Sequence, residues 1–275
     1  MNFVELTQTQ RQSFDDNGYL VVPQALPPQT VAALIEVGDR FMADAGPVHN
    51  YYANRYIDLL YDPLLTELSV CSATLPLVLQ LLSPEIRLTR ANIIYKYPQP
   101  ASDAPIYPDG DGRSFRNWHR DLNNFSPNHP IRGTVSIRVG FCLSDFTEPN
   151  SGVTLLVPGS HKLTEQLRFE EGALDPPEFE ELSLRAGDAY LFSTSTYHTP
   201  AINFTERPAK GLLVSYAYNW WGHGHPVPDE KTLDGMGEIQ AQLFGRPFHG
   251  EDVPLRKWGL AHGLEVEEPP MRVFV

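Results

Sequence analysis

From Ile86 onward the chain breaks into short runs rich in β-branched and aromatic residues, each closed off by Pro, Gly, Asn or Asp. The runs are Ile86–Tyr97, Phe115–Asp121, Thr134–Leu143, Val153–Val157, Glu181–Leu184, Ala189–Phe192, Tyr197–Ile202 and Gly211–Asn219. Runs this short, separated by turn residues, predict antiparallel strands. There are enough of them for a jelly roll. Pro98–Gly112 and Glu165–Pro177 have no clear period and read as long loops over a barrel mouth.

The residues before Ile86 have a different texture. Thr7-Gln8-Thr9-Gln10 has the spacing of a helix capping box, Gly18 fits the stop of that helix, and Tyr19–Val22 reads as a strand. Pro27-Pro28 can open a second helix in which Val31, Leu34, Ile35, Phe41 and Met42 recur at roughly helical spacing. Apolar runs between Leu64 and Leu82 predict further helical packing. The 275 residues suit one domain with one good core. The expected layout is helical cover over about 1–84, a jelly-roll core over about 85–220 and a C-terminal extension over about 221–275.

The formal charge of -13, with no Lys/Arg cluster, opposes nucleic-acid binding and points to a small-molecule partner. Cys71 and Cys142 are far apart and outside any Cys-x-x-Cys pair, so neither a disulfide framework nor a thiolate zinc site is indicated. Met1 to Leu6 carries Glu5 and no basic region ahead of an apolar run, and no apolar stretch is long enough to cross a bilayer. The expectation is a soluble, cytoplasmic protein without a membrane partner. Oligomeric state has no signature in the chain.

One of the predicted strands carries the chemistry. In Trp118-His119-Arg120-Asp121, side chains at i and i+2 leave the same face, so His119 and Asp121 can grip one ion while Arg120 points away. His198, in a later strand, is a possible third ligand. Two imidazoles and one carboxylate on one side of a metal leave positions open for an oxidant, the arrangement of non-haem iron(II) sites. Taken alone, an H-x-D pair is more often a solvated strand edge than a ligand pair. His223-Gly224-His225 has the same spacing, but Gly224 and Pro226 make it a loop.

The residues between those strands resemble the phytanoyl-CoA dioxygenase-like (PhyH) family. The likeness is carried by His119-x-Asp121, by Asn150-Ser151-Gly152 leading into Val157-Pro158-Gly159-Ser160-His161-Lys162, by Ala186-Gly187-Asp188 before His198, and by Asn17-Gly18-Tyr19-Leu20-Val21-Val22 near the start. It covers nearly the whole chain, loosely after Trp221. It implies a double-stranded β-helix, a cupin-like jelly-roll barrel flanked by N-terminal helices. It further implies an Fe(II)- and 2-oxoglutarate-dependent dioxygenase that uses O2, hydroxylates or otherwise oxidises an unactivated C–H bond of a small metabolite, and releases succinate and CO2. His119, Asp121 and His198 would be the metal ligands and the catalytic centre, and His161 would belong to a structural turn. Related halogenases carry a small residue in place of the carboxylate, so Asp121 implies hydroxylation or a closely related oxidation rather than chlorination. The chain has no phosphate-cradling glycine loop or basic stripe that would favour a CoA ester, so a free metabolite, of secondary metabolism, is the expected substrate.

The resemblance also assigns a co-substrate anchor. Family members hold the distal carboxylate of 2-oxoglutarate with an arginine several residues past the distal histidine, as a guanidinium fork suits a carboxylate. Counted through Asn203, that slot falls on Ala209, with Arg207 two residues short of it. A shortened, irregular connection through Pro200, Asn203 and Pro208 makes Arg207 the candidate over Lys210. On the strand from Arg90 to Lys96, the residues Arg90, Asn92, Ile94 and Lys96 share one face, which a family-like barrel turns toward the co-substrate, with Asn92 the preferred polar contact. Phe125 and Phe141 are expected to wall the substrate pocket. Two other classes compete: a redox-silent hydrolase or isomerase holding zinc or manganese on a cupin-like barrel, and a non-catalytic ligand-binding relative.

Overall fold

The structure, a computed structural model, describes residues 2–46, 51–100, 117–121, 134–171, 173, 175–221 and 225–264. Thr7 opens the first helix, α1 (Gln8–Asn17), by a reciprocal cap. Its hydroxyl accepts from the Gln10 N–H at 3.2 Å, and the Gln10 side chain accepts from the Thr7 N–H at 3.0 Å. Gly18 ends the helix at φ 81°, donating its N–H to the Phe14 carbonyl at 2.7 Å. β1 (Tyr19–Val22) follows, then α2 (Pro28–Asp44), which starts on its prolines and buries Val31, Leu34, Val37 and Met42. β2 (Tyr52–Tyr56), α3 (Pro63–Leu68) and α4 (Leu75–Leu81) complete this mainly helical cover.

β3 (Ile86–Lys96), β4 (Ser136–Cys142), β5 (Thr154–Leu156), β6 (Glu180–Glu181), β7 (Ala189–Ser193), β8 (His198–Pro200) and β9 (Ala209–Tyr218) fall on the runs marked out by the sequence, except that β6 shares only Glu181 with the expected run Glu181–Leu184. They make a six-stranded antiparallel sheet in the order β1-β7-β4-β9-β3-β2 and a three-stranded sheet in the order β6-β5-β8. Residues 117–121 add to the small sheet, because His119 and His198 exchange both backbone hydrogen bonds, at 3.0 and 2.9 Å.

Strand β4 is buried along its whole length, which requires cover on both faces. Ile137, Val139 and Phe141 belong to the apolar layer shared with Leu34 of α2 and Val78 of α4. Cys142 belongs to the other layer, with Tyr190 and Phe192 of the large sheet and Leu155 and Leu156 of the small one. Two antiparallel sheets closing on that second layer make the double-stranded β-helix, a jelly roll with helices on the outer face of its larger sheet.

The tail returns to the helix side. α5 (Glu230–Asp234), α6 (Glu238–Leu243) and α7 (Pro254–Ala261) bury Leu233, Leu243 and Leu255 in the same layer as Leu34. Gln242 ties them to the start of β3, donating to the carbonyls of Pro84 and Ile86 at 2.8 and 3.2 Å and accepting from the Leu255 N–H at 2.9 Å. Among the described residues, no helix is long and apolar enough to cross a membrane.

Candidate metal centre

The backbone exchange between His119 and His198 makes them a directly opposed antiparallel pair, so their rings leave the same face of the small sheet, centroids 4.3 Å apart. Their neighbours Arg120 and Tyr197 turn the other way by the same alternation. The Arg120 guanidinium lies 4.3 Å over the Tyr197 ring and donates to the carbonyls of Ser160 and Leu163, both at 3.0 Å. That clamp fixes the register that brings the imidazoles together.

Asp121 returns to the inner side, its N–H held by the Thr194 carbonyl at 3.0 Å. The Nε2 atom of His119 is 3.9 Å from Asp121 Oδ1, and that of His198 is 3.7 Å from Oδ2. One ligand atom from each of the three residues lies within 4.8 Å of the others. Each ring is aimed from behind: His119 Nδ1 meets the Asn117 carbonyl at 2.6 Å, and His198 Nδ1 meets that of Thr196 at 2.9 Å. With carbonyl acceptors at Nδ1, the proton sits there and the Nε2 lone pairs face the cluster.

The electrostatics suit a cation. Burial lowers the His198 pKa to about 4; the Asp121 charge opposes this, and His119 and Arg138 add to it. His198 is therefore neutral at ordinary pH, the form that ligates a metal. Arg138, from the inner face of β4, brings Nε to 2.8 Å from Asp121 Oδ2. The pair lacks hydrogen-bond alignment, and Oδ2 stays buried without a donor, so the contact is one of charge alone. A buried carboxylate oxygen with no donor, beside two imidazole nitrogens, fits a divalent metal.

The other predicted residues divide. Asn92 is buried and donates to Asn54 Oδ1 of β2 at 2.9 Å. Phe141 packs in the helix-side core and only borders an interior cavity, against the expectation that it walls the pocket. The reason is parity: Cys142, its neighbour, takes the inner face. Phe125 lies outside the described residues, as do His129 and His223.

Arg207 is exposed on the rim of a surface groove with Asp145, Glu148 and Ile35, away from the metal cluster. Asn203 explains this, because its amide donates to the Arg207 carbonyl at 2.7 Å and to the Lys96 carbonyl at 2.8 Å, winding residues 203–207 into a tight turn. Lys210 turns to the helix side, ion-paired with Asp39 of α2 at 2.6 Å. His161 ties its turn to the Asp15 carbonyl at 3.1 Å, and His225 is buried against Phe244. Trp118 donates to Asp175 at 2.9 Å and packs on Phe179. Arg138 is the participant that sequence reasoning missed. Its signal was a lone charge in an otherwise uncharged, fully buried strand.

The profile of the phytanoyl-CoA dioxygenase (PhyH) family matches residues 14–211, a span holding the metal cluster and every strand of both sheets except most of β9. The chain belongs to this family. Among solved structures, this family member is similar to HygX from Streptomyces hygroscopicus with nickel and 2-oxoglutarate bound, at TM-score 0.61 and 20% identity, covering 78% of this chain and 88% of that one. It is similar to SnoN, a non-heme alpha ketoglutarate dependent epimerase from nogalamycin biosynthesis, at TM-score 0.58 and 21% identity, with 76% and 82% covered. SnoK, the carbocyclase from the same biosynthesis, gives TM-score 0.59 and 18% identity, with 84% and 98% covered. At these identities the likeness is one of fold, and it includes the jelly roll.

Proposed function

We propose that this PhyH-family protein is an Fe(II)- and 2-oxoglutarate-dependent oxygenase, acting on a C–H bond of a small-molecule metabolite in secondary metabolism. The observation that carries the reading is the convergence of His119, Asp121 and His198, one ligand atom each, within 4.8 Å. HygX has been crystallised with hygromycin B, and SnoN with Fe3+, alpha ketoglutarate and a nogalamycin compound, which supports a metabolite substrate here. The negative net charge supports the same class.

In this reading His119 and His198 hold iron through Nε2 and Asp121 holds it through a carboxylate oxygen. Iron and 2-oxoglutarate together supply the oxidising power toward an unactivated C–H bond. The protein's part is positional. The Asn117 and Thr196 carbonyls keep each imidazole proton on Nδ1, so both lone pairs stay on the metal side. Arg138 sets its charge beside Asp121 Oδ2, and Oδ1 is the carboxylate oxygen paired with His119. Phe192 packs edge-on to His198 at 4.9 Å and keeps water from that side of the ring. Because Asp121 retains a carboxylate in the third position, we assign hydroxylation as the outcome. Epimerisation or ring closure, the reactions for which SnoN and SnoK are described, would share the step of breaking a C–H bond.

The test is anaerobic addition of Fe(II) and then 2-oxoglutarate to metal-free protein, followed by O2 and measurement of succinate. The expected result is iron-dependent succinate that is lost in Asp121→Ala and His198→Ala variants whose circular dichroism is unchanged. Undiminished succinate in either variant refutes the reading. Metal-supported turnover without any 2-oxoglutarate requirement would support the redox-silent alternative.

A further inference from the structure

With Arg207 on the surface and Lys210 paired to Asp39, the carboxylate at the far end of 2-oxoglutarate needs another cation, and one stands inside the barrel. Lys96, at the end of β3, is buried to 5% exposure and directs its ammonium between the sheets. Nζ donates to the Gly152 carbonyl and, at 3.1 Å, to that of Val153. The stem runs past Ala209, its partner in the β3–β9 ladder, and under Gly152. A Cβ on Gly152, where φ is +92°, would come within 2.7 Å of Ala209 Cβ and 3.3 Å of Lys96 Cδ. A left-handed glycine and a small residue thus clear the path the lysine occupies.

The ammonium borders a cavity of about 30 Å³ also lined by Thr154 and Tyr190, whose hydroxyls meet at 2.7 Å. Since 10–15 Å³ by this measure holds one water, the space fits roughly two waters, about the footprint of a carboxylate. It lies along the barrel from the metal cluster. Tyr190 stacks on Phe192, which packs against His198, and Thr154 is two positions along β5 from Leu156, the partner of His198. Two strand positions are roughly 7 Å, a length that a short dicarboxylate bridges when its other end chelates a metal.

Resting on the proposed co-substrate, we infer that Lys96, with the Thr154 and Tyr190 hydroxyls, binds the distal carboxylate of 2-oxoglutarate. The ammonium supplies the charge, and the hydroxyls donate to the carboxylate oxygens. The carbonyls of Gly152 and Val153 hold the lysine in place.

The experiment measures dissociation constants by calorimetry on Ni(II)-loaded protein, for 2-oxoglutarate and for 2-oxobutyrate, which keeps the keto-acid end and lacks the distal carboxylate. Wild type is expected to prefer 2-oxoglutarate. Lys96→Met should weaken 2-oxoglutarate by at least about 30-fold and 2-oxobutyrate by less than about threefold, erasing the preference. Unchanged 2-oxoglutarate affinity, or equal losses for both acids, overturns the assignment and makes Lys96 a brace for the Gly152 turn. Should Lys96→Met not fold, Arg207→Ala decides: a retained preference is expected, and its loss moves the anchor to Arg207. Wild type binding both acids equally overturns the Lys96 assignment alone. Wild type binding neither overturns the 2-oxoglutarate reading beneath it.

Discussion

In the proposed centre Arg138 and a divalent metal would compete for the charge of one carboxylate, and Arg138→Met would expose that competition. The two side chains are 11% and 19% exposed, and Arg138 is the only Lys or Arg ion-paired with Asp121 among the described residues. Removing one partner of a buried ion pair costs about 3–5 kcal/mol because the other charge is left uncompensated. Asp121 is about a fifth open to water, so about 2–3 kcal/mol is the appropriate loss for the metal-free protein. Methionine matches the length of the guanidinium stem and adds no large cavity. At roughly 2 °C per kcal/mol for a chain of this size, the metal-free midpoint should fall by about 4–6 °C. With metal bound, the cation neutralises Asp121 and the loss should shrink below about 1 kcal/mol. Closing the cycle, the variant should bind metal about tenfold more tightly than wild type. Urea titrations with and without saturating Ni(II), and a metal titration of each protein, measure all four sides. Equal destabilisation in both states, or none without metal, would refute the argument that Arg138 acts as a stand-in for the metal's charge.

His198 should make the metal-free protein acid-sensitive. Its pKa is about 4 when folded against 6.5 unfolded, so the unfolded chain binds the extra proton between those values. Its contribution, on the order of 3 kcal/mol, is complete above pH 6.5 and declines as the pH falls toward 4; urea midpoints for His198→Gln should be flatter over that window, and identical slopes would contradict the burial argument. Gly152→Ala combines a left-handed φ with a 2.7 Å approach to Ala209 and should cost about 2–4 kcal/mol, a urea-denaturation loss below about 1 kcal/mol being incompatible with it. Asn203→Ala leaves the Lys96 carbonyl short of a buried donor and should cost about 2 kcal/mol, with a loss under about 0.5 kcal/mol showing that the turn closes without that amide.

Strand content was legible because strands buried on both faces read as runs of β-branched and aromatic residues closed off by turn residues, and β3 and β9 could be read nearly to their ends. β2, Tyr52-Ala53-Asn54-Arg55-Tyr56, was not legible. It pairs only with β3, and an edge strand with Asn and Arg in it lacks the apolar alternation that marks a half-buried one. The tail helices escaped for a related reason. α5 and α6 have five and six residues, too short for a helical period, and what fixes them is the Gln242 amide reaching the carbonyls of Pro84 and Ile86, a contact across more than 150 positions.

The candidate centre divides along the same line between local and long-range determinants. His119 and Asp121 could be paired from spacing, since strand geometry alone sets them on one face. His198 joined them through type and order, and the antiparallel bridge between the two histidines is what makes the convergence physical. The carboxylate anchor could not be read that way. Counting from His198 assumes that each residue advances the chain by a strand's rise, and the Asn203 turn breaks that assumption by folding residues 203–207 back on themselves. Arg207 is thereby left outside the barrel, and the position that does face inward carries Ala209. A cation lost at one position of a ladder can be replaced from the residue opposite, because cross-strand partners share the same side of the sheet. Lys96 is that partner of Ala209, so a deficit read along one strand is met from its neighbour, where no linear spacing would point.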